Sequence, residues 1–337
     1  MIGRLRKLFE RDYSPEALGL TVRIEDLPPR KAPSPSAPLV VSRVETGDIR
    51  GAIALIKAAR QERRLVGQGA SEAAVLSELA LHPVLRSYNC GDGDGAADAA
   101  VAFVDHGTAH PDDPYAISLA AHALAMAGYA FRGFDWAKNV SQEGWTQLAR
   151  YGQGAQEVLD KARPHCADNW LFRRTAWQVA FVQQVDRPTL DARFHETAAD
   201  DPYDIGLWQS RMNQLLPRWF GSPEDLEGCA QDAASMTRAG WGDAGYAMAH
   251  ATSAQFDDLV DTPVDAERLM AAFRDWHERF PCGEVATYWA VCAYQLDQDE
   301  QFCRIIENAS VLYEDLSPLP WTLTKSYARL RPFSTAP

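Results

Sequence analysis

The sequence predicts an all-α chain, a solenoid of helix hairpins stacked side by side behind a short N-terminal extension. Three observations predict it. Apolar residues recur at three- and four-residue steps from Asp48 onward, as in Ile49, Ala52, Ile53, Leu55, Ile56 and Ala59. Proline and glycine fall mainly at joints between such stretches, among them Pro114, Gly133, Pro164, Pro188, Pro202, Gly221, Pro223, Pro263, Pro281 and Gly283. Finally, Asp112-Asp113-Pro114-Tyr115-Ala116-Ile117-Ser118-Leu119 returns as Asp200-Asp201-Pro202-Tyr203-Asp204-Ile205-Gly206-Leu207, 88 residues later (200 − 112). An Asp-Asp-Pro entry suits a helix start, because a carboxylate caps free N–H groups and proline fits the first turn. Each copy therefore reads as one helical unit of an array.

The elements follow in order. Residues 1–27 form an N-terminal extension that opens with a basic amphipathic run, Ile2, Leu5, Leu8 and Phe9 among Arg4, Arg6 and Lys7. Residues 1–9 read first as a terminal helix and second as a membrane contact. Residues 28–38 carry enough proline to read as an extended linker, with a strand or extended run at Leu39-Val40-Val41-Ser42. An N-terminal helical segment spans 39–95. Its first helix starts near Asp48, its second runs from Ser71 to Leu81 with Pro83 as a stop, and Cys90–Gly95 forms a loop. The repeat domain covers 96–311, with helices expected over 97–109, 114–132, 141–163, 167–185, 189–199, 202–217, 223–238, 242–257, 264–279, 283–296 and 299–311. A tail or cap occupies 312–337.

Composition narrows the function. The 337 residues are 46% hydrophobic and 23% charged, as in a folded globular chain, and carry a formal net charge of −13. Such a surface repels phosphate backbones, so no nucleic-acid partner is expected. Six cysteines without a C-x-x-C pair, and no secretory leader, predict reduced thiols in a cytoplasm. Cys292 and Cys303 are spaced to meet across a hairpin. No apolar run reaches membrane-spanning length.

Motifs for chemistry fail one by one. Asp92-Gly93-Asp94 alternates like a calcium loop, but the next ligand slot is Ala96 and the twelfth position is Phe103. His106 and His110 are spaced i, i+4, yet Gly107 and Pro111 place them at a helix end. His195-Glu196 and His277-Glu278 lack the second histidine of a zinc-protease helix, with Ala199 and Pro281 in its place. No nucleophile elbow and no phosphate-cradling loop occurs. No metal, no cofactor and no catalytic residue is assigned. The paired aspartates read as caps.

What remains are arginines beside tryptophans. Trp177 follows Arg173 by four residues and Arg174 by three, Arg211 follows Trp208 by three, and Arg218 adjoins Trp219. Arg–Trp surfaces bind peptide carboxylates and extended chains, so Arg173, Arg174, Trp177, Trp208, Arg211, Arg218 and Trp219 are the candidate groove. The competing reading buries each tryptophan between repeats under an arginine stem. A second candidate is a pocket of His122, Arg132, Asp135 and Trp136 around one helix end. Arg132 and Arg218 also suit a structural role on helix-end carbonyls.

The segments His110–Pro114, Ala120–Gly133, Asn139–Trp145 and Asn213–Ser222 resemble an uncharacterised bacterial family of tetratricopeptide-like helical repeats, a domain of unknown function. The family's Arg-Gly after the first long helix is present at Arg132-Gly133. Its Pro-(Arg/Lys)-Trp-Gly-Gly-Ser turn is met with Phe220 in place of one glycine. The resemblance covers roughly residues 100–310 and implies a right-handed α-solenoid without implying an activity. The expectation is a non-enzymatic scaffold holding a peptide or protein partner. The alternative is an enzyme or biosynthetic accessory protein with a small-molecule pocket near Arg132.

Overall fold

Helix formation here follows from capping and burial at one turn after another. The structure is a computed structural model that describes residues 34–133, 137–217, 219, 221–255, 259 and 262–308. The extension at 1–27, the run at 1–9 and the tail at 312–337 lie outside these residues.

Among the described residues the regular structure is helical apart from two strands of two residues each. The helices are α1 (Ala37–Glu45), α2 (Ile49–Glu62), α3 (Glu72–Leu79), α4 (His82–Asn89), α5 (Gly93–Ala109), α6 (Pro114–Arg132), α7 (Gln142–Cys166) and α8 (Trp170–Val182). They continue as α9 (Arg187–Asp200), α10 (Ile205–Gln214), α11 (Pro223–Trp241), α12 (Ala244–Ser253), α13 (Ala266–Arg279), α14 (Gly283–Gln295) and α15 (Asp299–Asn308). The strands β1 (Leu65–Val66) and β2 (Ala70–Ser71) pair as a small hairpin before α3.

Two compact units form. One comprises Ser34–Leu65 and Ala70–Leu207; the other comprises Val66–Gly69 and the described residues from Trp208 onward. In the first, α4 packs on α5, α5 on α6, α6 on α7, α7 on α8 and α8 on α9, with next-neighbour contacts from α4 to α6 and from α6 to α8. Its core joins Ile53 and Ile56 of α2, Leu76 of α3, Phe103 of α5 and Leu119 of α6. In the second, α11 packs on α12, α12 on α13, α13 on α14 and α14 on α15. There Trp241, Trp276, Tyr246, Phe273 and Phe302 are buried. The hairpin tip belongs to this unit: the indole N–H groups of Trp241 and Trp276 donate to the carbonyls of Gly69 (2.9 Å) and Gln68 (2.8 Å). Buried indole donors require such acceptors.

Five expectations are corrected. Residues 39–42 are neither strand nor extended chain but lie inside α1, with Pro38 in its first turn, where the missing N–H costs nothing. The end of the proline-rich stretch is likewise structured: Ser34 is buried and its hydroxyl donates to Glu72 at 2.5 Å. The Cys90–Gly95 loop closes early, since Asp92 caps α5 by accepting from Gly95 N–H at 2.8 Å. Pro83 opens α4 rather than merely stopping α3, and Pro164 lies inside the last turn of α7 rather than at a joint.

The echoed segments also differ. Asp113 caps α6, accepting from Tyr115 N–H at 3.0 Å, with Pro114 at the first helical position. In the second copy α10 begins three residues further on, at Ile205, and Asp204 supplies the cap by accepting from Leu207 N–H at 3.0 Å. Asp201 is instead buried against Ser71 and Arg60.

Candidate functional site

The first unit has an ionic centre around Arg174. Helix α8 is opened by Asn169, whose side chain accepts from Leu171 and Phe172 N–H, and this aims Arg174 inward. The Arg174 guanidinium donates Nε to Asp204 Oδ2 at 2.5 Å and Nη2 to Glu78 Oε1 at 2.6 Å. Arg174 and Asp204 are almost fully buried, whereas the Glu78 side chain is 37% exposed. Burial opposes the Arg174 charge, but Asp204 and Glu78 outweigh it and hold its pKa above the ordinary value. Burial likewise pushes Glu78 up, and Arg174 together with His122 more than reverses this, leaving it below the ordinary carboxylate value. Buried His122 on α6 stands in the field of the same groups. Burial lowers its pKa against the pull of Glu78, and Arg174 lowers it further, so the neutral imidazole is favoured.

A second set adjoins it. Asp201 Oδ2 accepts from Ser71 Oγ at 2.7 Å and pairs with Arg60 Nη1 at 3.1 Å. Arg60 also donates to the Asp200 carbonyl at 2.7 Å and lies over the Trp170 ring at 5.0 Å. Buried Glu72 receives both Ser34 and Arg64 Nε, the latter at 2.5 Å.

The second unit carries a cluster that sequence reasoning missed. Glu227 on α11 accepts from the Tyr246 hydroxyl (3.0 Å to Oε2) and meets His250 Nε2 at 3.0 Å, both from α12. Arg268 of α13 lies 4.0 Å over the Tyr246 ring and forks onto Asp243 with bonds of 2.8 and 2.9 Å. Burial raises Glu227, yet bonds from His250, Gln231 and Tyr246 win and hold it below its ordinary value. The Arg268 bond chiefly holds Asp243 down as well. Tyr246 is pushed well up by burial and by Glu227. The one sequence signal was spacing, since Tyr246 and His250 stand one helical turn apart on α12.

The described Arg–Trp candidates differ in exposure. Trp177 and Trp208 have no exposed surface, and Arg174 and Arg211 are buried. Trp177 packs on Phe194 at 5.7 Å. Arg173 is spread over the Ala167 carbonyl, Asp168 and Asp200. Trp219 is 42% exposed, and Arg218 lies outside the described residues.

Of the alternative pocket, His122 and Arg132 are described. His122 and Arg132 share α6 but are ten residues apart, about 15 Å along the axis. Arg132 donates to the Gly133 carbonyl at 2.9 Å and lies 5.2 Å over Trp145, a helix-end role. Asp135 and Trp136 lie outside the described residues. His106 and His110 stand with ring centres 4.6 Å apart at the end of α5. Cys292 and Cys303 form no disulfide. Among the described residues no group of three metal-ligating side chains occurs, and no helix is long and apolar enough to cross a membrane.

Compared with known protein families, curated proteins and solved structures, the chain matches none.

Proposed function

We propose that the chain is a non-enzymatic helical-repeat scaffold, a right-handed tetratricopeptide-like α-solenoid that binds a peptide or protein partner. The observation that carries this reading is the packing order within each unit, in which successive helices contact their neighbours and next neighbours. A catalytic site would need reactive groups facing a substrate. Here the buried ionisable groups face one another: Arg174 is held by two carboxylates, and Glu227 is engaged by Tyr246 and His250.

Of the seven candidate groove residues, Trp219 presents its ring to solvent, and a large aromatic is the residue type that anchors partners. The reading predicts that Trp219→Ala weakens partner capture by roughly 30-fold, an anchor-sized loss of ~2 kcal/mol. Wild type and variant are compared as immobilised bait against lysate, followed by titration of the retained protein. Leu39→Ala, which truncates another exposed apolar side chain (55%), is the control and leaves capture unchanged. Equal affinity of wild type and Trp219→Ala would remove Trp219 from the contact surface. Absence of any retained protein would turn the search to small molecules near Arg132.

A further inference from the structure

The joint between α9 and α10 carries more buried acid than base. Asp201 is 5% exposed and is faced by the Arg60 guanidinium from α2, the Ser71 hydroxyl from β2 and the backbone N–H of Tyr203. Three residues on, in the same turn, stands a second buried carboxylate, Asp204, and the turn is closed by Asp204 N–H bonding to the Asp201 carbonyl at 3.2 Å. Arg174 from α8 does not serve Asp201; it is divided between Asp204 and Glu78 of α3. Arg173, also of α8, is committed to Asp200 and Asp168, and His122 of α6 stands in the field of Glu78, Arg174 and Asp204. Asp201 thus shares its turn with a second buried carboxylate, and Arg174 is taken up by that one and Glu78. Two neighbouring buried carboxylates do not both ionise freely.

We propose that the α9–α10 joint is a proton-operated latch in which protonation of Asp201 holds the joint shut and ionisation of Asp201 loosens it. With a proton on Asp201, the turn buries one negative charge fewer, while Arg60 keeps its bond to the Asp200 carbonyl. Without it, Asp201 and Asp204 repel across one turn. Burial first, and Asp204 second, push the Asp201 carboxyl up to about 6, against the Ser71 bond, the Arg60 charge and the Tyr203 N–H, which act the other way. The sign follows directly. The native joint binds this proton more tightly than the opened chain does, so its stability falls as pH rises from about 4 to about 6 and is level above that.

Hydrogen exchange of the amides in residues 201–207, corrected for the intrinsic pH dependence of exchange, reads the latch in the full chain. Wild type is expected to open about 10- to 100-fold more often at pH 7.5 than at pH 4.5. Asp201→Asn keeps the shape and an acceptor for Ser71 and should show no such rise. Parallel profiles for the two proteins would overturn the proposal. A carbon-13 carboxyl titration of wild type decides the matter should the variant misfold. A midpoint for Asp201 near 6 supports the latch, and one at or below 4 overturns it.

Discussion

Replacing Arg174 with methionine is expected to lower the unfolding free energy by about 3–5 kcal/mol, the cost of stranding a buried charge partner. Methionine keeps much of the stem's volume but leaves Asp204, 2% exposed, without its guanidinium. Glu78 contributes less to the loss, because its side chain is 37% exposed whereas that of Asp204 is 3% exposed. The neighbouring Arg173→Ala is the contrast. Its ion pairs to Asp168 and Asp200 lie nearer the surface, and their loss should cost under about 1 kcal/mol. Urea unfolding followed by far-ultraviolet circular dichroism separates the two, provided the slope with denaturant is unchanged. Equal effects at 173 and 174 would show that the Arg174 centre does not hold the first unit together.

The second large effect is expected at the hairpin tip. Gly69 has φ +94, and a Cβ there would stand 2.8 Å from Trp241 Nε1 and 2.9 Å from Phe280 Cε2. Alanine in this region of backbone space costs about 1–2 kcal/mol, and displacing packed rings adds about 1–3 more. The displaced Trp241 also donates to the Gly69 carbonyl, so the clash threatens that bond too. Gly69→Ala should therefore destabilise by about 3 kcal/mol or more. Gly91→Ala isolates the backbone term, because Gly91 has φ +68 but open space around its would-be Cβ. It should cost only about 1–2 kcal/mol. Thermal melts of both variants check the difference, and equal shifts would mean that the tip is not tightly packed.

Much of the helical order was legible because it is local. Asp48, Asp113, Ser141, Ser222 and Asp265 each cap the helix that follows, and a side chain accepting from an N–H two or three residues on leaves a short-range signature. Helix α1 was missed because proline density reads as extended chain when Pro38 alone decides the matter by entering the first turn. The two Asp-Asp-Pro segments show the limit of reading by likeness. Their letters agree, but Arg60 and Ser71 draw Asp201 inward, and the capping passes to Asp204.

The candidate sites were legible only in part, for the same reason. Arg174 was singled out beside Trp177, but its partner Glu78 lies 96 residues away, and no periodicity links them. Glu227 and His250 are 23 residues apart on successive helices, and neither belongs to a known motif. Long-range pairing reverses the meaning of an arginine. The same residue that reads as a groove contact on a helical wheel becomes an interior counter-ion once two carboxylates converge on it.

In the proposed array, neighbouring helices support one another in chain order. Ile305 is buried in α15, which packs on α14, and α14 packs in turn on α13 and α12. Hydrogen exchange by mass spectrometry on wild type and Ile305→Ala measures how far a local loss spreads. Deleting three buried carbons costs about 2–5 kcal/mol at the site. An array predicts faster exchange in α15 and α14, with α11 retaining its wild-type protection. Loss of protection in α11 equal to that in α15 would mean one all-or-none core and would contradict the array.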